Sequence, residues 1–210
     1  MMWLAFYNEN VGDVLLLTRG GGVPDDFIET ESQGNVTLIK DRRSSEVVSA
    51  NIFNMKDAIK PANNGNITLT EADLEWVNEQ IQAVGFDLTI DVDNTPKFVV
   101  GYVEEVEAHE DSDHLSITQT DIGDEVVQIV CGASNIDEDQ YVIVAKPGAV
   151  MPNGAIIWPG ELRGEASNGM ICSTSELGLS DIDDMPGIWE LEDEFEPGTP
   201  LEEVVSFYRG

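Results

Sequence analysis

The stretch that most constrains this chain runs from Phe98 to Leu179. Apolar blocks there alternate with Gly, Pro and Asn at intervals that suit strands and are too short for helices. Residues 98–103 form a first strand, and Gly101 within it permits the bend that a small closed barrel needs. Residues 117–122 and 126–131 are the second and third strands, turning at Gly123 and Asp124. A polar connection over 135–140 leads to a fourth strand at 141–145. Beyond Pro147 and Gly148, residues 155–158 and 170–172 complete an all-β barrel and its extension, and a short helix at 201–207 ends the pattern.

The preceding residues have another rhythm, and predict an α+β module made of two hairpins plus one helix. Residues 3–7 and 14–17 pair across Asn8, Glu9 and Asn10. Residues 35–40 and 46–53, rich in Val, Ile and Thr, pair across a charged turn that holds Arg42 and Arg43. A helix over 71–84 places Leu74, Val77, Ile81 and Val84 on one face. Thr70 can cap it with Asp73 in the reciprocal position, and Gly85 supplies the stop. Three glycines after Arg19 form a loop. No glycine in the chain is followed by Lys, and Asp25 and Asp26 would repel a phosphate, so a Walker cradle is excluded. Residues 87–96 begin as an acidic strand and end at Pro96, which places one domain at 1–95 and a second at 96–210.

Charge is the oddest feature. Across 210 residues, 41 acids face 10 bases for a net of −31; residues 1–96 carry −10 and residues 97–210 carry −21. A nucleic-acid module ordinarily shows a basic patch, so this composition argues against non-specific phosphate binding. It fits a proteome adapted to high salt. No run approaches the roughly 18 apolar residues of a membrane span, and the first residues lack the basic and apolar regions of a signal peptide. The expected location is the cytoplasm. Cys131 and Cys172, each in an apolar strand context, read as buried reduced thiols.

Several separated motifs then occur in a telling order. They are Cys131-Gly132-Ala133-Ser134-Asn135, Lys146-Pro147-Gly148, Leu162-Arg163-Gly164, Ser167-Asn168-Gly169-Met170 and Ser173 through Glu176 to Gly178. The loop from His109 to Leu115 belongs with them, with Glu110 where the related pattern has proline. This half of the chain resembles the stand-alone tRNA-binding domain, an OB-fold found on aminoacyl-tRNA synthetases and near the start of the phenylalanyl-tRNA synthetase beta subunit. The whole chain resembles the YtpR family, in which an uncharacterised N-terminal module precedes this domain and no synthetase catalytic region is present. The resemblance implies a non-catalytic, cytoplasmic protein that binds tRNA or other structured RNA, with no cofactor and no metal. It implies RNA contacts at Asn135, Lys146, Arg163, Ser167, Asn168, Met170, Ser173 and Glu176. The residue types suit that role: Arg163 and Lys146 for phosphates, Asn and Ser for 2′-hydroxyls and base edges. The bland alternative is that Asn135, Ser167 and Asn168 merely cap turns.

Other chemistries fit less well. His109 and His114 are one residue too far apart to share a helical face as zinc ligands, and the carboxylates around them lack EF-hand spacing. Ser173 with the histidines suggests a hydrolase, but no Gly-x-Ser-x-Gly elbow exists. The stronger rival is an acidic OB-fold protein-interaction module that has lost RNA binding and attracts a basic protein partner.

Overall fold

Six strands, each antiparallel to its neighbours, make the first of two units in the computed structural model, which describes residues 2–20, 22–182 and 185–210. This unit ends at Thr95 and the second runs Pro96–Gly210. The strands β1 (Leu4–Tyr7), β2 (Val14–Thr18), β3 (Ile28–Gln33), β4 (Val36–Asp41), β5 (Glu46–Phe53) and β6 (Gly65–Ile67) lie in the order β3-β4-β5-β2-β1-β6. Both expected hairpins are present, and β2 pairs with β5 to join them into one sheet. Strands β3 and β6 escape sequence reading for a physical reason. All six β3 residues are exposed, so the strand has no buried alternation, and β6 is three residues long.

Helix α1 (Glu71–Ala83) covers the sheet by burying Val77 and Ile81 among Leu15, Leu17, Ile52 and Met55. Each such side chain removed from water stabilises the fold by about 1.5–3 kcal/mol. The Thr70 hydroxyl accepts from the Asp73 N–H at 3.2 Å, and the Asp73 carboxylate accepts from the Thr70 N–H at 2.8 Å. The capping box therefore forms even with the shorter Asp. Residues 87–96 correct the expected acidic strand. No strand forms there; Ile90 is buried in the core, and the Asn78 side chain on α1 bonds both its N–H and its carbonyl. A helix side chain thus supplies the bonds a neighbouring strand would have given.

The second unit is wound around one long strand, β7 (Phe98–Ala108). It is followed by β8 (Ser116–Asp121), β9 (Val126–Cys131), β10 (Tyr141–Ala145), β11 (Gly160–Leu162), β12 (Glu165–Ser167) and β13 (Met170–Ile171). β7 pairs through residues 98–102 with β10 and through residues 102–108 with β8, with a register irregularity between Val103 and Glu105. One strand serving two neighbours in succession curls the five-stranded sheet β13-β10-β7-β8-β9 into an OB-type barrel. A Cβ on Gly101 would fall 2.7 Å from both Thr120 Cγ2 and Val144 Cγ2, so this glycine lets two strands close over a third. Val99, Val103, Ile129, Val142 and Val144 fill the interior.

Residues 155–158 correct a second expectation. They form no barrel strand; Ile156 makes only an isolated bridge with Val150, between Pro152 and Pro159. A small hairpin of β11 and β12, absent from the sequence reading, follows instead. The trailer then returns to the barrel. Val142 bridges Glu190, Val99 bridges Pro200, and the Val100 N–H donates to the Thr199 carbonyl at 2.8 Å. Trp189, Leu191 and Val204, the last on helix α2 (Leu201–Arg209), build a second apolar layer against Val100, Ile143 and Cys172.

Candidate functional site

The barrel's last gap, between β13 and β9, is where most of the singled-out polar residues gather. β9 has β8 on one side, and its other edge is met by residues 166–168. The Asn168 N–H donates to the Gln128 carbonyl at 2.9 Å, and the Gln128 amide nitrogen donates to the Ala166 carbonyl at 2.9 Å. The Ser167 hydroxyl accepts from the Val130 N–H at 3.1 Å. These bonds form a polar seam that leaves the β9 edge covered. Gly169, with φ at 150°, lies at its end; a Cβ there would come 3.0 Å from the Ala145 carbonyl oxygen and 3.3 Å from Ile129 Cδ1. Gln128 is not among the RNA contacts that the resemblance implies. Its place on a strand edge that a later segment covers has no local signature.

Two depressions flank the seam. One, of about 370 Å³, is lined by Gln128, Lys146 and Asn168, where the half-buried Lys146 pairs with Asp124 at 3.2 Å. The other, of about 490 Å³, is lined by Val130, Met170, Ser173 and Glu176, with Met185 and Pro186 at its rim. Here the Glu176 carboxylate accepts from the Ser173 N–H at 2.8 Å and its hydroxyl at 2.7 Å. In return the Ser173 hydroxyl accepts from the Glu176 N–H at 3.2 Å. Asn135 does not face either depression. Its amide nitrogen donates to the Ile188 carbonyl and its oxygen accepts from the Ile188 N–H, both at 3.0 Å. Gly187, with φ at 101°, has no room for a Cβ beside that amide. Asn135 thereby pins the wall of the larger cleft.

Arg163 stands apart at the tip of the β11–β12 hairpin. It and Gly164 both have positive φ, 51° and 90°, as a type I′ turn requires. Such a turn favours Asn before Gly, and an arginine in the left-handed region costs about 1–2 kcal/mol. Its guanidinium donates to the Asp111 carbonyl at 2.7 Å, a neutral partner, and among the described residues no carboxylate pairs with it. The same hairpin is held by buried His109, whose Nδ1 accepts from the Asp111 N–H at 3.1 Å while Nε2 faces the Leu162 carbonyl at 3.3 Å. With Nδ1 an acceptor, Nε2 carries the proton and donates.

Several rival sites take definite form. Among the described residues no group of three His, Cys, Asp or Glu side chains gathers as for a metal. The His114 ring meets the Ser112 hydroxyl at 3.4 Å. Arg43 clasps Asp41, holding its carboxyl below the usual carboxylate range, and also lies over the Phe27 ring. Cys131 and Cys172 are both free and buried, and burial pushes the Cys172 thiol up to about 12. Neither is a thiolate near neutral pH.

The fold and seam define an OB-type barrel module that follows a small α+β domain in the chain. Residues 98–200 match the family described as "Putative tRNA binding domain", and residues 24–93 match "Domain of unknown function (DUF4479)". "Putative tRNA-binding protein YtpR" of Bacillus subtilis (strain 168) is 45% identical over 92% of this chain and 96% of its own length. The chain belongs to the YtpR family. A "Phenylalanine--tRNA ligase beta subunit" of Campylobacter jejuni (strain RM1221) is 53% identical over 50% of this chain. Its counterpart in Staphylococcus aureus (strain Mu50 / ATCC 700699) is 55% identical over 45%. The matches span only 14% and 12% of those two proteins. The structure described as "Crystal structure of MetRS related protein from Pyrococcus horikoshii" aligns over 63% of this chain and 97% of its own, with TM-score 0.37 and 17% identity. That superposition is too loose to inform the site.

Proposed function

We propose that this protein binds tRNA without altering it covalently, through the barrel of residues 96–210, and that it does so in the cytoplasm. The observation that carries this reading is Arg163. It is exposed, meets no carboxylate at ion-pair distance among the described residues, and occupies a turn position that folding would give to Asn. The match of residues 98–200 to a tRNA-binding family supports it, as do the two depressions that flank the seam. Ser173 is partnered by a carboxylate and not by an imidazole, which supports a binding role over a hydrolytic one. Of the eight residues singled out, Lys146, Arg163, Asn168, Met170, Ser173 and Glu176 are the proposed contacts. Asn135 and Ser167 act from behind, by holding the cleft wall and the seam.

Cations are scarce in this unit: Lys97, Lys146, Arg163 and Arg209, and Lys146 and Arg209 already pair with Asp124 and Asp181. Binding therefore rests on shape and hydrogen bonds more than on counterion release, and folded tRNA should outcompete unstructured RNA. With about two to four phosphate contacts, log affinity against log salt should fall with a slope of only about −1.5 to −3.5. Arg163→Ala should lose about 1–3 kcal/mol of affinity. A fragment of residues 96–210 should bind as the intact chain does. Titrating tRNA into all three proteins across a salt series tests these expectations. No binding even at high salt, where repulsion is screened, would instead favour a basic protein as partner for the −21 half.

A further inference from the structure

The larger cleft beside the seam lacks what a phosphate needs. Its described lining holds no Lys, Arg or His, and its one carboxylate, Glu176, would repel a phosphate oxygen. Glu176 is instead set up as an acceptor. Both bonds from Ser173 fall on Oε2, and among the described residues none reaches Oε1. The turn fixes the carboxylate and leaves one oxygen for a donor from outside. Beside it lie half-buried Met170, exposed Pro186, and Met185, which is 68% exposed. Thioethers are polarizable and pack well against aromatic rings. The cation-bearing depression is close by along the same strand. Gln128 lines that one and Val130 lines this one, roughly 7 Å apart at the rise of a strand. An RNA backbone near Lys146 would thus have a cation-free cleft within reach of a splayed base.

We propose that this cleft receives an unpaired nucleobase bearing an exocyclic amino group. The ring lies on the Met170, Met185 and Pro186 surface, and the amine donates to Glu176 Oε1. Single-stranded RNA is commonly read in this way, by stacking on a side-chain surface and hydrogen bonding at the base edge. Cytosine presents N4–H₂ where a uracil-type base presents the O4 carbonyl, and a carboxylate facing a carbonyl is repulsive. The cleft therefore prefers cytosine to uracil although the two rings have one size. This inference rests on the RNA-binding reading above and adds base selectivity to it.

The test uses cytidine and uridine homo-oligonucleotides of equal length as competitors of labelled tRNA on the intact protein. The cytidine oligomer should compete about tenfold better, the ratio expected when a hydrogen bond to a charged acceptor is kept or lost. Glu176→Gln retains an oxygen for Ser173 and can turn its NH₂ toward O4, so it should bring the ratio near one with an unchanged Tm. Should that variant unfold, Met185→Ala at the exposed rim keeps the question open to measurement. It should weaken both oligomers several-fold and leave their ratio intact. Equal competition by the two oligomers, no competition by either while tRNA binds, or no response to Met185→Ala would each overturn the cleft assignment alone. Absence of tRNA binding at every salt concentration would remove the RNA reading and this inference together.

Discussion

The N-terminal sheet ends at β3, whose six residues are all exposed and include Glu29 and Glu31, whereas the barrel's equivalent edge at β9 is met by residues 166–168. One edge is left open and guarded by charge. The other is satisfied by main-chain and side-chain bonds from Gln128 and Ser167. A polar residue therefore means different things in the two units. On β3 the Ser32 hydroxyl meets that of Thr37 at 2.8 Å in an exposed pair. On the seam the Ser167 hydroxyl holds a main-chain N–H that the β9 edge would otherwise leave unpaired. The lesson for the candidate site is that Ser167 and Asn135 maintain the shape of the seam and of the cleft wall. Arg163 makes one long-range bond, to the Asp111 carbonyl, but does so from a turn position that favours Asn.

The sharpest way to break this comparison is to obstruct the seam. Gly169→Val combines an unfavourable φ with a Cβ against the Ala145 carbonyl, and should cost roughly 3 kcal/mol or more by strain and overpacking together. Gly65→Val at the N-terminal edge, with φ at 101° and nothing within 4 Å of its Cβ, should cost only about 1–2 kcal/mol. Denaturant unfolding of both variants compares them, and equal losses would mean the seam does not close the barrel.

Removing single hydroxyls is a gentler version of the same test. Ser167→Ala strands the Val130 N–H and should cost about 1–2 kcal/mol. Ser32→Ala, on the exposed edge, should stay within about 0.5 kcal/mol. Thermal melts that rank them the other way would undo the distinction between the two edges. The smallest expected change runs in the opposite direction. Arg163→Asn gives the hairpin the residue its turn prefers and should gain about 0.5–1 kcal/mol of stability, less what the lost Asp111 bond contributes. Its tRNA affinity should nevertheless fall. A variant less stable than the parent would return Arg163 to the structural residues.

Local chemistry was enough to read much of this molecule. The hairpins of β1 with β2 and β4 with β5, the Thr70–Asp73 cap, and strands β9 and β10 all announce themselves through alternation and turn residues that act within a few positions. The motifs from Gly132 to Glu176 likewise identify the barrel's kind, because their order along the chain is itself the signal. Only tertiary structure showed which partners the polar members of those motifs meet. Asn135 meets Ile188 53 residues away, Ser167 meets Val130 37 residues away, and Arg163 meets Asp111 52 residues away. β3, with no buried face, became a strand because β4 offered it an edge. Periodicity records which side of an element faces the core. A hydrogen bond closed across dozens of residues leaves no period, so which polar residues fasten the fold was visible only in the tertiary structure.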